Sequence, residues 1–180
     1  MIPWLETPRL LLRRFTADDR VWLGGLYADP EVTRYLGGTQ TPDAIDRMLR
    51  HRILDYYEEH PGLGIWMTIE RDTGERAGFH LLNNIQGESI IQVGFALARW
   101  AWGRGYGTEM GSAVLRHGFV TLGIENIAGM ASPATSHRSE CSKKLGSSVV
   151  ESGPSRIPHM RPRDRWPGSN AMPLTGWRTG

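Results

Sequence analysis

The stretch that decides the fold is IIQVGFALARWAWGRGYGTEMGSAVLRHGFVTLG, residues 90–123. Its first eight residues alternate large apolar side chains with mostly small ones, which is the pattern of a β-strand. Three glycines follow within residues 103–107 and allow the backbone to turn sharply. Apolar residues then recur at helical spacing from about Thr108, and Gly123 ends the pattern as a C-terminal glycine would. The stretch therefore predicts a strand, a glycine-rich turn and a long helix.

Glycines also occur inside the predicted helix. Gly111 and Gly118 each cost about 1 kcal/mol there relative to alanine. Together with Gly107 they share one helix face, because their spacing corresponds to whole turns. We expect this face to pack closely on the sheet.

A turn rich in unpaired N–H groups, leading into a helix N-terminus, is suited to bind an anion. The aligned peptide dipoles add about half a positive charge at that end. We expect a diphosphate as the ligand, and these features alone leave the nucleotide open. The dinucleotide fingerprint G-x-G-x-x-G does not fit, because the spacing here is G-x-G-x-G, and no G-K-[ST] of a P-loop follows.

The residues of the turn resemble a known signature. WGRGYGTE, residues 102–109, preceded by QVGFAL, is similar to the acetyl-CoA motif of the GNAT acetyltransferases, written [QR]-x-x-G-x-[GA]. Trp102 stands where glutamine or arginine is usual, while Gly105 and Gly107 occupy the glycine positions. LETPRLLLRRFTADD and LYADPEVTRYLGG resemble the group that acetylates protein N-termini and small amines, including the ribosomal-protein N-terminal acetyltransferases. The resemblance covers roughly residues 4–132.

The resemblance implies acetyl-CoA as co-substrate and a primary amine as acceptor. Backbone amides of the turn would hold the diphosphate, the pantetheine arm would run beside the strand, and a strand N–H would stabilise the oxyanion. For the Arg104 side chain, a phosphate contact and a solvated charge remain open. The residues expected to bind the cofactor are Phe95, Ala96, Leu97, Arg104, Gly105, Tyr106, Gly107 and Thr108.

No general base is identifiable from the sequence. Gln92 stands where the family often has a glutamate, and an amide cannot accept the proton. Glu88, His80 and Ser139 are weak candidates for acid–base roles, and His80, on a strand between apolar residues, is expected to be structural. Glu109 opens the predicted helix, where we expect it to compensate the dipole. Water could instead remove the proton from the amine.

The rest of the chain predicts an α+β (mixed α/β) fold with a twisted, mostly antiparallel sheet and helices on both faces. A strand over residues 9–15 precedes a helix that begins at a capping box, residues 16–19, and ends near residue 29. A second helix begins at the Thr41-Pro42 pair and continues to about Glu59. A hairpin follows, and a last strand within residues 123–132 should pair in parallel with the central strand through a right-handed crossover.

Size and composition fit one globular domain, since 180 residues with 39% hydrophobic content can bury a sizeable core. The net charge of +2 gives no argument for a nucleic-acid or membrane partner. One cysteine excludes an internal disulfide framework and suits a reducing compartment. No apolar run reaches the roughly 18 residues of a membrane span, and the N-terminus lacks the features of a signal peptide. We expect a cytoplasmic monomer or homodimer with a small-molecule or protein amine as acceptor.

The family pattern fails in the last third of the chain. Related proteins continue D-P-x-N-x-x-S-x-R-V-L-E-K-L-G-F, whereas this chain has SPATSHRSECSKKLGS, residues 132–147. We expect an acetyltransferase-like domain over residues 1–152, its last helix and strand degraded, and a disordered tail over residues 153–180. Three interpretations remain: a disordered natural tail, a shifted reading frame or degraded gene, and a functional arginine-rich segment that contacts RNA or a ribosome.

The sequence leaves three functions open. The first is an acetyl-CoA-dependent N-acetyltransferase acting on a primary amine, such as a protein N-terminus, a polyamine or an aminoglycoside-like drug. The second is a catalytically silent domain that binds acetyl-CoA or a partner. The third is a scaffold that binds no nucleotide.

Overall fold

The computed structural model describes residues 4–34 and 36–129, and the backbone of residues 159–160. Within these residues seven strands form one sheet in which each strand pairs with the next along the chain. The fifth and sixth strands are parallel and all other neighbours are antiparallel. The strands are β1 (Leu5–Glu6), β2 (Leu10–Arg14), β3 (Gly64–Glu70), β4 (Arg76–Asn84), β5 (Ile91–Leu97), β6 (Ile127–Gly129) and β7 (His159–Met160). The predicted fold class, the hairpin and the parallel pair are confirmed.

Five α-helices are found in the described part of the chain. They are α1 (Arg20–Ala28), α2 (Pro30–Thr33), α3 (Pro42–Arg47), α4 (Asp55–Glu59) and α5 (Tyr106–Arg116). A π-helical segment, Met48–Leu54, joins α3 to α4, and another, His117–Thr121, extends α5. Short 3₁₀ turns, Ala17–Asp19 and Arg99–Ala101, precede α1 and follow β5. None of these helices has the length and apolar character that a membrane span requires.

Local capping signals position the helices of the amino-terminal half. The Thr16 N–H donates to Asp19 Oδ2 at 2.9 Å, which is one half of the predicted capping box. Thr41 Oγ1 accepts from the Ala44 N–H at 3.3 Å, and Pro42 occupies the first helical position. Both predicted helix starts are confirmed.

Helices cover both faces of the sheet. Phe95 of β5 and its cross-strand partner His80 of β4 lie under α5, their rings stacked 5.2 Å apart. Phe79 lies on the opposite face, because neighbouring residues of a strand alternate, and its ring stacks with Tyr27 of α1 at 6.3 Å. The core is continuous across the layers, and its fully buried large side chains include Trp66, Leu10, Leu12, Leu23, Ile53, Met67, Leu82, Met110, Ile127, Val93 and Val114.

The glycines of α5 only partly fulfil the expectation of close packing. A Cβ on Gly107 would lie 2.5 Å from the Phe95 ring, and one on Gly118 would lie 2.6 Å from Ile127 Cδ1. A Cβ on Gly111 would meet nothing within 4 Å, so the expectation is wrong for that residue. Helix α5 begins at Tyr106, two residues before the predicted start at Thr108.

The carboxyl-terminal third mostly lies outside the described residues. Ser139, Cys141 and the expected domain boundary at residue 152 are among the residues not described. Within the predicted tail, residues 159–160 form β7, which pairs with β6 through Ile127↔Met160 and Ala128↔His159.

Candidate functional site

The glycine-rich turn connects β5 to α5 with a backbone that requires glycine. Gly103 has φ 73° and Gly105, the N-cap of α5, has φ 78°. These left-handed values are disfavoured for residues that carry a Cβ. The requirement at Gly103 is conformational, because a Cβ built there would meet no atom within 4 Å.

The N-terminus of α5 presents backbone amides. Glu109 N–H donates to the Gly105 carbonyl at 3.0 Å, and this bond starts the helical ladder. The N–H groups of Tyr106, Gly107 and Thr108 therefore precede the ladder, where a helix leaves its donors without intrahelical acceptors. Such donors, aligned with the positive end of the helix dipole, can hold an anion.

Gly107 fixes the distance between this helix terminus and strand β5. The Phe95 ring fills the place where a side chain at Gly107 would project. Phe95 as a residue is 39% exposed, so it also borders the surface beside the turn. Gly107 thus allows α5 to approach β5 closely.

Strand β5 pairs with β4 along its whole length, up to Leu97↔Gly78, and with the described part of β6 as far as Val93↔Gly129. The description of β6 ends at Gly129. The Ala98 N–H donates to the Ala77 carbonyl beside β4, so by alternation the backbone groups of Leu97 point to the opposite edge. We call this edge of β5, at Leu97 and next to the helix terminus, the open edge, since no described strand pairs with it there.

Trp102 occupies part of this edge. Its indole Nε1–H donates to the Leu97 carbonyl at 2.7 Å, and 43% of the residue is exposed. The sequence showed that Trp102 departs from the motif but gave no signal for this contact.

Two ion pairs flank the turn. Arg104 Nη1 donates to Glu70 Oε1 of β3 at 3.0 Å, and the Tyr106 hydroxyl donates to the same carboxylate oxygen. The Arg104 side chain is about half exposed and pairs with a carboxylate, and its contact with a phosphate stays a prediction. Glu70 was not found from the sequence, where it is only an acidic residue at a strand end.

The second ion pair ties α5 to the turn between β1 and β2. Arg9 Nε donates to Glu109 Oε2 at 2.7 Å, and Thr7 Oγ1 donates to Glu109 Oε1 at 2.7 Å. Burial raises the pKa of Glu109, but these hydrogen bonds outweigh it, and the net shift is downward. The carboxylate stays ionised in the first turn, where we expected it to compensate the dipole, and it also anchors the helix.

The candidate acid–base residues do not meet at this site. His80 is fully buried, and its Nδ1 lies 2.7 Å from Thr68 Oγ1 in a hydrogen bond. Burial lowers the pKa of His80 to about 3, so the ring is neutral and cannot serve as a base for an amine arriving from solvent. Glu88 lies in the exposed turn before β5, at the opposite end of the strand from the glycine-rich turn. Ser139 lies outside the described residues.

Gln92 is held by another amide. Its Nε2 donates to Asn83 Oδ1 at 3.2 Å inside the sheet, on the face opposite Phe95. An amide pair can orient a polar ligand, but it cannot take up a proton. Within the described residues, no group of three or more His, Cys, Asp or Glu side chains could hold a metal ion.

Known proteins share this pattern and this fold. The model of the acetyltransferase (GNAT) domain matches residues 9–147. An uncharacterized N-acetyltransferase of Bacillus subtilis, YoaA, is 32% identical over 132 residues, which are 71% of this chain and 72% of that protein.

Solved structures show the same fold at lower identity. The acetyltransferase of Agrobacterium tumefaciens has a TM-score of 0.70 and 24% identity, covering 87% of this chain and 90% of its own. The spermidine N-acetyltransferase of Vibrio cholerae, solved with CoA and spermine, has a TM-score of 0.59 and 14% identity, covering 82% and 84%. Because the domain model spans most of the chain, this protein belongs to the GNAT family of acetyltransferases.

Proposed function

We propose that this chain transfers the acetyl group of acetyl-CoA to a primary amine. The observation that carries the proposal is the amide-rich N-terminus of α5, which follows the end of β5 where the Leu97 backbone points away from β4. An extended ligand with amides along its length and a diphosphate at one end matches both features. Acetyl-CoA has this form and supplies an activated acetyl thioester.

The chain would contact the coenzyme mainly through backbone groups. The amides of residues 105–108 would bind the diphosphate, since the glycine conformations at 103 and 105 bring them into one concave turn. The Leu97 N–H would pair with the pantetheine arm as a further strand does, while the Leu97 carbonyl already accepts from the Trp102 indole. An N–H on this edge would also stabilise the oxyanion that forms when the amine attacks the thioester carbonyl.

The acceptor amine needs a group that takes up its proton, and we assign this role to solvent. As the amide forms, the proton of the neutral amine passes to the CoA sulfur, and CoA leaves as the thiol. A protonated acceptor must first lose one further proton, because only the neutral amine can attack. Among the described residues, the Gln92 amide and the buried, neutral His80 cannot accept that proton. We therefore propose that water removes it, so that the rate increases with pH as the acceptor amine loses its proton.

The proposed acceptor is a primary amine, and an assay over a panel of amines determines its chemical class. The ribosomal-protein acetyltransferase group suggests a protein N-terminus, and the Vibrio cholerae relative is a spermidine acetyltransferase. A suitable panel contains peptides with free N-termini, spermidine and an aminoglycoside.

A catalytically silent acetyl-CoA-binding domain is the second candidate. It is favoured by the lack of an acid–base side chain at the site among the described residues. Calorimetry with acetyl-CoA, followed by a thiol-release assay over the amine panel, distinguishes the two. Binding with turnover supports the transferase, binding without turnover on any amine supports the silent domain, and absence of binding rejects both.

A further inference from the structure

Glu70 lies beside the glycine-rich turn and binds three donors. The Tyr106 hydroxyl, Thr73 Oγ1 (2.7 Å) and Arg104 Nη1 (3.0 Å) all donate to its carboxylate. The Glu70 side chain is only 12% exposed, whereas the Arg104 side chain is 49% exposed. A carboxylate is therefore fixed next to the place where the proposed function puts a diphosphate.

We propose that Glu70 competes with the coenzyme phosphates for Arg104, so that Arg104 exchanges the carboxylate for a phosphate when the coenzyme binds. This inference rests on the proposed function. It makes Glu70 a specificity-determining residue, because only a ligand with a strongly anionic group at the turn can displace the carboxylate. A neutral or weakly charged ligand would leave the Arg104–Glu70 pair closed.

The contacts of Glu70 allow Arg104 to leave. A hydrogen bond from Tyr106, and after it one from Thr73, come first among the causes that lower the pKa of Glu70, and the charge and hydrogen bond of Arg104 lower it further. With Arg104 gone, two hydroxyl donors still satisfy the carboxylate. The guanidinium also lies over the Trp100 ring, 5.2 Å from its centroid, and this ring would guide the side chain at the surface.

The other arginine at the turn is held differently. Arg9 Nη2 lies 3.6 Å from the position that a Cβ on Gly105 would take, so the Arg9 guanidinium also lies at the N-terminus of α5. Its Nε, Nη2 and backbone N–H all contact the Glu109 carboxylate, at 2.7, 2.6 and 3.1 Å. Arg104 reaches Glu70 through Nη1 alone. Arg9 is therefore part of the fixed frame, and Arg104 is the cation that can move.

The test measures CoA affinity by calorimetry for the whole chain and for single substitutions. Glu70→Gln frees Arg104 before the ligand arrives, so we expect CoA to bind about two- to fivefold more tightly, the range that an exposed ion pair is worth. Glu75→Gln is the matched control, because it removes the same charge from the hairpin of β3 and β4 to which Glu70 also belongs. In the described part of the chain, the Glu75 carboxylate has neither a hydrogen bond nor an ion pair, so its loss should leave the affinity within about 1.5-fold.

A double substitution separates the exchange from a general charge effect. In the Arg104→Gln background, Glu70→Gln should no longer increase the affinity for CoA, since the cation for which Glu70 and the phosphates compete is absent. An equal gain from Glu75→Gln, or a gain that persists without Arg104, would overturn the proposal. A Glu70→Gln chain that binds CoA no better than the native chain would overturn it as well.

Thermal unfolding of each variant shows whether the fold is kept. If Glu70→Gln does not fold, Arg104→Gln alone decides the question, and an unchanged CoA affinity in that variant would overturn the exchange. If the native chain itself does not bind CoA, the proposed function fails, and this outcome is distinct from a failure of the Glu70 inference.

Discussion

At the scale of single residues, Gly107 and Gly111 lie on the same face of α5 but have different surroundings. The Phe95 ring occupies the space that a methyl group on Gly107 would need, whereas a methyl group on Gly111 would meet nothing within 4 Å. The first glycine is required by packing. The second carries only the entropic cost of glycine in a helix.

This difference predicts opposite effects of the same substitution. Gly107→Ala should lower the free energy of unfolding by about 1–3 kcal/mol, because Phe95 must move away from the helix. Coenzyme affinity should decrease with it, since Phe95 borders the open edge of β5. Gly111→Ala should raise the free energy of unfolding by about 0.5–1 kcal/mol. Urea unfolding of both variants checks the pair, and destabilisation by Gly111→Ala would contradict it.

The sequence predicts the backbone conformation of the turn better than it predicts the partners of side chains. The turn was predictable because glycine spacing expresses a backbone conformation directly, and Gly105 has the left-handed φ that the motif implies. The contacts of Trp102 with Leu97 and of Arg104 with Glu70 were not predictable. They join residues that only the assembled sheet brings together, and one sequence contains no signal of such pairs.

At the scale of secondary-structure elements, the helix starts were predictable and the π-helical segments were not. A cap such as Thr41 with Pro42 acts within a few residues, so its signal is local. Nothing local in the sequence marks the π-helical segments Met48–Leu54 and His117–Thr121.

The start of α1 depends on a buried ion pair. Arg13 of β2 donates to both oxygens of Asp19, at 2.6 and 2.7 Å, and both residues are buried. Asp19→Asn would leave the Arg13 charge buried without its counter-ion and should cost about 3–5 kcal/mol. Asp46→Asn breaks the exposed pair with Arg20 and should change stability little. Similar losses in denaturant unfolding for both variants would refute this assignment.

The open edge of β5 predicts a residue-specific protection pattern. The Leu97 N–H faces the edge, whereas the Ala98 N–H already donates to the Ala77 carbonyl at 2.9 Å. Addition of CoA should therefore slow amide exchange at Leu97 at least tenfold and leave Ala98 nearly unchanged. Exchange measured by NMR resolves the two neighbours. Equal exchange at Leu97 with and without CoA would argue against a pantetheine arm on this edge.

At the scale of the whole molecule, the sheet order follows from simple chain rules. Each strand pairs with its neighbour in sequence, and α5 makes the crossover between the parallel strands β5 and β6. The same order places the glycine-rich turn at the carboxyl end of β5, where the chain leaves the sheet to form α5. The three interpretations of the carboxyl-terminal segment stay predictions.

Stability of the whole molecule should depend on pH through its buried titratable groups. Burial lowers the pKa of His80 from 6.5 to about 3 and lowers the pKa of His117 in the same direction. Below about pH 6.5 the unfolded chain therefore binds protons that the folded chain does not, and the free energy of unfolding falls as pH decreases. For one histidine the slope is about 1.4 kcal/mol per pH unit. Asp19, whose pKa is held below 3.8 by hydrogen bonds that outweigh its burial, adds a further loss below about pH 4.

Substitution of His80 tests the main contribution to this slope. His80→Gln removes the titrating ring while an amide can still bond to Thr68, so the variant is expected to be less stable at pH 7 but to lose stability more slowly between pH 6.5 and 4. Urea unfolding at half-unit pH intervals gives the slope for both proteins. An equal slope in the variant would mean that the His80 ring is protonated in the folded state. In that case β3 and β4 would admit a charge next to the Phe95 ring, and neutrality would no longer exclude His80 as an acceptor of the amine proton.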